Sequence, residues 1–207
     1  MKRIIWHWTA GGHTPNDTDR RHYHEIIDGN GEVVQGRHGI PTNKPPLERG
    51  RYAAHTLNGN SNSIGIAVAA MRGAREVPFS AGPSPLTWPQ IATMLDQTAR
   101  HCKRYGIEVS RDTTLSHAEV ERTLGIKQRA KWDIMWLPDM DRPGDPIEVG
   151  DRLREMLRER MGEAVDADDE PDTSEDGVKQ GHKAPQAGIV AAIIAALGAA
   201  FMWMRGR

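Results

Sequence analysis

Cysteine is almost absent from this 207-residue sequence, in which Cys102 is the single thiol. One thiol excludes an internal disulfide and any metal cluster built on several cysteines, so a bound metal would need histidine and carboxylate ligands. An excess of one charge sign is also lacking, because residues 1–162 contain 23 Lys and Arg against 20 Asp and Glu. Such a balance provides no basic stripe for a phosphate backbone, so we expect no nucleic-acid partner.

The first residues lack the apolar core of a secretion signal. MKRIIW has two basic residues and only a few apolar ones before His7, whereas a signal peptide needs roughly 7 to 15 consecutive apolar residues. We therefore expect no Sec-type signal.

The C-terminal part of the chain differs in composition from the rest. Residues 162–186 contain 8 Asp and Glu against 2 Lys, and they have few large apolar side chains, so we predict an acidic flexible linker. Residues 187–204 have 18 positions without a charge, which as a helix would span about 27 Å. We predict a transmembrane helix in a lipid bilayer. The alternative, a buried core helix, has nothing beyond the linker to bury it.

Small residues recur every four positions along this predicted helix, at Gly188, Ala192, Ala196 and Ala200. That spacing lets two helices approach closely, so self-association of the tail is a further hypothesis. The basic residues beyond its end, Arg205 and Arg207, favour a cytoplasmic C-terminus.

Residues 1–161 mix apolar and polar positions as a folded domain does. Strands are predicted at RIIWHW, at RRHYHEII and EVVQGR with DGNG as the turn between them, and at SIGIAVAAM. The continuous apolar run of the last of these indicates a central strand. Helical spacing predicts helices over Trp88–Tyr105, 118–124 and 147–161, with Cys102 on the buried face of the first. Strands and helices interleave, so the fold class is α/β.

Two histidines and one acid occupy positions where a polar side chain needs a partner. His7 lies between two tryptophans in the first strand, His117 begins a helix directly after a strand, and Asp133 lies in the apolar run KWDIMW. Two imidazoles and a carboxylate can form a catalytic zinc site with a fourth position for water. Because no short H-x-x-x-H pair is present, hydrogen-bonded histidines and a capping acid remain the alternative.

Five segments, in order, resemble the type-2 N-acetylmuramoyl-L-alanine amidases, a zinc family that includes phage endolysins, cell-wall recycling amidases and peptidoglycan recognition proteins. The segments are IIWHWTAGG, YHEIIDGNGEVVQGR, AAHTLNGNSNSIGIAV, LSHAEV and KWD. The match runs along residues 3 to about 138, and it implies that the domain of residues 1–161 is a zinc amidase catalytic domain with a peptidoglycan recognition protein-like amidase fold, a mixed central β-sheet flanked by helices.

The same resemblance implies a set of site residues. One Zn²⁺ per chain would have the ligands His7, His117 and Asp133, with Tyr23 and Lys131 as catalytic residues and His55 and Asn62 beside the substrate groove. The third ligand is Cys in many members and Asp in others, and this chain follows the Asp version. Because the segment between His7 and Tyr23 is short, we expect the helix that many relatives have there to be missing.

Five other polar residues are left outside the predicted site. A regular strand would direct His22 and His24 away from the side to which Tyr23 points. His13 and His38 could line the groove or lie in loops, and Glu119 is assigned to the first turn of its helix.

The resemblance implies hydrolysis of the amide bond between N-acetylmuramic acid and L-alanine in peptidoglycan. Zinc would lower the pKa of its bound water to about 7. Lys131 would stabilise the oxyanion, and the Tyr23 hydroxyl would orient the water or pass a proton.

The predicted tail indicates where this chemistry would occur. We expect a membrane-tethered endolysin for host cell lysis, a single-pass protein of the bacterial host's inner membrane that acts on periplasmic peptidoglycan, with a holin as a further partner. One alternative is a non-catalytic peptidoglycan-binding module, against which the complete ligand set argues. The other is a cytoplasmic muropeptide-recycling amidase, for which a membrane tether has no evident use.

Overall fold

The computed structural model describes residues 1–162, which are built around a five-stranded sheet with the strand order β3-β2-β4-β1-β5. The strands are Arg3–Trp8 (β1), Glu25–Ile27 (β2), Val33–Gln35 (β3), Ser63–Val68 (β4) and Thr114–Ser116 (β5). Strand β4 is parallel to β1 and β2, β1 is parallel to β5, and β3 alone is antiparallel to its neighbour β2. The predicted mixed central sheet is therefore confirmed, with β4 as its middle strand.

Within residues 1–162, four α-helices accompany the sheet: Asp17–His22 (α1), Trp88–Tyr105 (α2), Val120–Leu124 (α3) and Pro146–Met161 (α4). Short 3-10 helices occur at Ile40–Asn43 and His117–Glu119. Helix α2 has the predicted bounds because Thr87 and Gln90 form a capping box at its start and Gly106 ends it with a φ of 63°. Cys102 lies on its buried face, as predicted.

The two faces of β1 serve different purposes because side chains alternate along a strand. Ile4 and Trp6 face the main hydrophobic core, where the Trp6 indole donates a hydrogen bond of 2.9 Å to Thr98 on α2. Ile5 belongs to a smaller apolar cluster with residues of β5 and α3. His7 follows Ile5 by two residues, so it lies on the face away from α2.

Helix α4 is connected to β5 and the following turn by a buried ion pair. Arg154 is 1% exposed and donates hydrogen bonds of 2.8 Å to Glu119 and 2.9 Å to the Thr114 carbonyl. The Glu119 carboxylate also accepts the Ser116 N–H. Glu119 thus lies in the first helical turn, as predicted, and this network fixes the turn that presents His117.

The predicted strand RRHYHEII was wrong at its start. Residues 20–22 belong to α1, so the helix that we expected to be missing before Tyr23 is present. Its start is set by Asn16, whose side-chain oxygen accepts two N–H groups of the first turn, while Asp19 accepts the Asn16 N–H. This reciprocal cap outweighs the apparent strand pattern.

In residues 1–162, no helix has both the length and the apolar character needed to cross a bilayer. The predicted linker beyond Gly162 and the predicted transmembrane helix over 187–204 lie outside the described residues.

Candidate metal centre

His7, His117 and Asp133 converge at the C-terminal end of β1. The Nδ1 atoms of the two histidines are 3.1 Å apart, and Asp133 Oδ2 lies 3.5 Å from that of His7 and 3.1 Å from that of His117. All three side chains are buried. Ligand atoms about 2.1 Å from one tetrahedral zinc ion would lie roughly 3.4 Å apart. The type and spacing of these three atoms therefore fit a zinc site.

The sheet brings the two histidines together. In the parallel pairing of β1 with β5, Trp6 is opposite Ser116, so the next residues lie side by side: His7, still within β1, and His117, directly after β5. Asp133 comes from a turn closed by a hydrogen bond from the Met135 N–H to the Trp132 carbonyl. The ligand set therefore combines two adjacent strand ends with one later turn.

Burial and hydrogen bonding keep these groups in forms that can bind a cation. Burial lowers the pKa of His7 to about 4, although the hydrogen bond to Asp133 opposes this change. Burial raises the pKa of Asp133, but its close contacts with His117 and His7 outweigh this effect and hold that pKa well below its usual range. A neutral imidazole at His7 and an ionised carboxylate at Asp133 are the metal-binding states at neutral pH.

The outer ring nitrogens of both histidines also have partners. His7 Nε2 lies 3.2 Å from His55 Nδ1 and 3.5 Å from the Thr56 hydroxyl. His117 Nε2 lies 2.8 Å from Gln128 Oε1. Such contacts orient imidazole ligands in metal sites, and here they leave both Nδ1 atoms facing Asp133.

A cavity of about 320 Å³ has His117 and Asp133 in its wall, and Tyr23 and Lys131 also line it. The Tyr23 ring centroid is 5.1 Å from that of His7. Burial, together with the charges of Asp133 and Asp19, raises the pKa of the Tyr23 hydroxyl, which is therefore protonated at neutral pH and can donate a hydrogen bond. Lys131 is exposed at the opening.

The structure does not bring every predicted site residue to this cavity. His55 lines it but is only 6% exposed, and its hydrogen bond to His7 places it behind a ligand. Asn62 directly precedes Ser63, which pairs with Arg3 at the opposite end of β1 from His7. Four strand steps, roughly 13 Å, separate Arg3 from His7 along β1. Asn62 therefore does not line this cavity, and its place beside the substrate groove stays a prediction.

The structure places the four histidines that were left outside the predicted site in different surroundings. His22 lines the cavity, contrary to the prediction, because it ends a helix and the alternation of a strand does not apply to it. His24 is buried outside the cavity, where Nδ1 accepts the Gly65 N–H and Nε2 donates to Asn43. Among the described residues that line the cavity, neither His13 nor His38 is present.

Gln128 is a residue of the site that sequence reasoning missed. It is 3% exposed, lines the cavity and contacts His117. Its position between the last two ligands was the only available signal, and no local pattern distinguishes it from its polar neighbours in KQRAK.

Comparison with known proteins decides the family. The Amidase_2 model, described as N-acetylmuramoyl-L-alanine amidase, matches residues 1–135. The chain belongs to this family. All three candidate ligands of the amidase lie within the matched residues, and the resemblance inferred from the five sequence segments is confirmed.

Two solved structures are similar to this amidase. The Ph2119 endolysin from Thermus scotoductus MAT2119 bacteriophage Ph2119 is 19% identical, with a TM-score of 0.38 over 56% of this chain and 71% of that one. The N-acetylmuramoyl-L-alanine amidase LysC from Clostridium intestinale URNW is 13% identical, with a TM-score of 0.41 over 78% of this chain and 85% of that one. No curated protein matches the chain significantly.

Proposed function

We propose that this protein is a zinc-dependent amidase that hydrolyses the bond between N-acetylmuramic acid and L-alanine in bacterial peptidoglycan. The observation that carries the proposal is the convergence of two imidazole nitrogens and one carboxylate oxygen, 3.1 to 3.5 Å apart, in a member of this amidase family. His7, His117 and Asp133 would hold one zinc ion. When bound, zinc would supply Lewis acidity toward the amide carbonyl and a water of lowered pKa.

The other side chains of the cavity have separate tasks. The Tyr23 hydroxyl keeps its proton at neutral pH, so it orients water or the substrate carbonyl as a hydrogen-bond donor rather than acting as a base. Lys131 adds a positive charge at the cavity wall, where it stabilises the negative charge that develops on the carbonyl oxygen during attack. His55 supports His7 from behind.

This arrangement favours an enzyme over a binding module. A module that only holds peptidoglycan has no use for three buried metal-ligand atoms that face one another. The cavity also has both a protonated hydroxyl donor and an exposed cation in its wall, and such groups can stabilise the negative charge that develops during amide hydrolysis.

The test is zinc-dependent release of stem peptide from purified sacculi. Metal-stripped protein should release little peptide, added zinc should restore release, and His117→Ala and Asp133→Ala should lose both zinc and release. His38→Ala, which changes a histidine outside the cavity, is the control and should retain both. Binding of sacculi without peptide release at saturating zinc would support the binding module instead.

We further propose that the enzyme is a membrane-tethered endolysin for host lysis, anchored in the bacterial inner membrane and acting on periplasmic peptidoglycan. The support is the 18-residue uncharged sequence of 187–204 after an acidic stretch. The bilayer, a holin and a second copy of the tail are the proposed partners besides peptidoglycan.

Fractionation and protease accessibility test this second proposal. The full chain should sediment with membranes, and a chain ending at residue 186 should not. In intact spheroplasts, external protease should digest the catalytic domain of the full chain. A protected domain would support the cytoplasmic recycling amidase.

A further inference from the structure

Gln128 makes hydrogen bonds with every polar group of its side chain. Its Oε1 lies 2.8 Å from His117 Nε2, while its Nε2 donates to the Leu57 carbonyl at 2.8 Å and to the Ile126 carbonyl at 3.2 Å. Its backbone N–H donates to Glu121 at 3.0 Å. A buried amide held by this many partners has a single favourable orientation.

The two carbonyls decide which end of the amide faces His117. Exchanging the oxygen and nitrogen of Gln128 would direct Oε1 at the carbonyls of Leu57 and Ile126, so that acceptors would face acceptors. The amide oxygen must therefore face the ring of His117. An oxygen that can only accept requires a donor, so His117 Nε2 carries a proton.

We propose that Gln128 is a positioning residue that fixes His117 as the Nε2–H tautomer and thereby directs the lone pair of Nδ1 at the candidate zinc site. The inference rests on the proposed function for the identity of the metal. A neutral imidazole carries one ring proton, so a proton held on Nε2 leaves Nδ1 free to coordinate. Nδ1 is the atom that lies 3.1 Å from both His7 Nδ1 and Asp133 Oδ2.

The same side chain connects the ligand to the cavity wall. Leu57, whose carbonyl accepts from Gln128, lines the cavity and is 47% exposed. A substitution at Gln128 could therefore act through the ring of His117 or through the wall at Leu57. Two variants separate these routes. Gln128→Glu keeps an acceptor for His117 but places a second oxygen against the Leu57 and Ile126 carbonyls and so disturbs the wall, whereas Gln128→Met has a similar length and loses the contacts on both sides.

The first measurement is the proton position on His117, observed by NMR of full-length protein with ¹⁵N-labelled histidine. In the metal-free wild type, Nε2 should be protonated and its proton should exchange slowly with water. Gln128→Glu should retain this signal, and Gln128→Met should lose the slow exchange. An unprotonated His117 Nε2 in the wild type would overturn the proposal.

The second measurement is the zinc dissociation constant, obtained by competition with a chromophoric chelator. Gln128→Met should weaken zinc binding by about 10- to 100-fold, the usual effect of removing a partner of a metal-bound histidine, while Gln128→Glu should bind nearly as tightly as wild type. Gln97→Met is the control, because Gln97 is another buried glutamine, on helix α2, and its substitution should leave zinc affinity unchanged.

Equal weakening in Gln128→Glu and Gln128→Met would assign the effect to the cavity wall and overturn the tautomer role. Unchanged zinc affinity in Gln128→Met would overturn it as well. If the wild-type protein takes up no zinc, the proposed function fails, whereas the proton position on His117 still decides whether Gln128 controls the tautomer.

Discussion

Single residues around the cavity differ in chemistry because their surroundings differ. Tyr23 is covered and close to Asp133, so its hydroxyl keeps its proton. Lys131, also at the cavity wall, is exposed and can move to meet substrate. His7 has no exposed surface, so in the proposed zinc site it would act only as a ligand. The donor, the cation and the ligand are thus three separate side chains, and each can be tested by its own substitution.

Lys131→Ala should lower kcat by about 10²- to 10³-fold, the usual effect of removing one group that stabilises an oxyanion. The zinc content should not change, because Lys131 is not a ligand. Stoichiometric zinc measured beside peptide-release kinetics checks both parts. Lys127→Ala removes another exposed lysine of the same segment that does not line the cavity, and it should leave turnover unchanged. Full activity in Lys131→Ala would exclude its assigned role.

The pH dependence of stability should include a contribution from His24. Burial lowers its pKa to about 4 in the folded protein, against 6.5 as the ordinary value. As the pH falls below about 6.5, the unfolded chain binds the proton first, so the free energy of unfolding decreases by roughly 1.4 kcal/mol per pH unit until about pH 4. Above about pH 6.5 this contribution is constant.

His24→Gln isolates that contribution. Urea unfolding of both proteins at pH 7.5 and pH 5, with chelator present, gives the loss of stability for each. Between pH 7.5 and pH 5, the variant should lose about 2 kcal/mol less of its free energy of unfolding than wild type, since it lacks the contribution from protonation of His24. Any direct destabilisation by the substitution cancels in this difference. Equal losses in the two proteins would show that His24 does not titrate in this way.

At the level of elements, helix α4 has a structural task that its sequence does not reveal. Arg154 is 1% exposed and joins α4 to Glu119 and the Thr114 carbonyl, next to the turn that presents His117. An arginine in a charged helix such as PIEVGDRLREMLRERM is normally read as solvated. Arg154 is instead buried, because it pairs with Glu119, which lies 35 residues away in the sequence.

Arg154→Met should lower the free energy of unfolding by about 3 to 5 kcal/mol, because it leaves the Glu119 carboxylate buried without its charged partner. Arg152→Met is the matched control on the same helix. Its partner Asp139 is exposed, so its substitution should cost only about 1 kcal/mol. Chemical denaturation of the two variants measures the difference. An equal loss in the free energy of unfolding for the two variants would show that the buried ion pair stabilises the fold no more than the exposed one.

The elements also show how far sequence reasoning reaches. Helix α2 could be predicted to the residue, since its capping box and terminal glycine are local signals. Helix α1 was missed because its cap at Asn16 lies before the segment RRHYHEII, whose pattern resembles a strand although its first three residues end the helix. The three candidate ligands could be proposed as a set only through the family resemblance, and the contact of Gln128 with His117 could not be predicted at all. Side-chain contacts between segments that are distant in the sequence produce no local residue pattern from which they could be predicted.

For the whole molecule, the proposed zinc ion would connect three distant parts of the chain and should therefore stabilise the fold. Ligands that bind only the folded state stabilise it by about 2.7 kcal/mol when present at 100 times their dissociation constant. Zinc should raise the melting temperature of wild type, and chelator should reverse the change. Asp133→Ala should show no zinc response. A rise in Asp133→Ala equal to that of wild type would place zinc at another site.

The identity of the bond that is cut tests the central claim most directly. Purified sacculi digested with the zinc-loaded enzyme should be analysed by mass spectrometry. We predict free stem peptides that begin with an unblocked L-alanine, together with glycan strands in which the lactyl group of N-acetylmuramic acid ends in a free carboxylate. Cleavage between sugars or within the stem peptide, or no soluble product at all, would contradict the account.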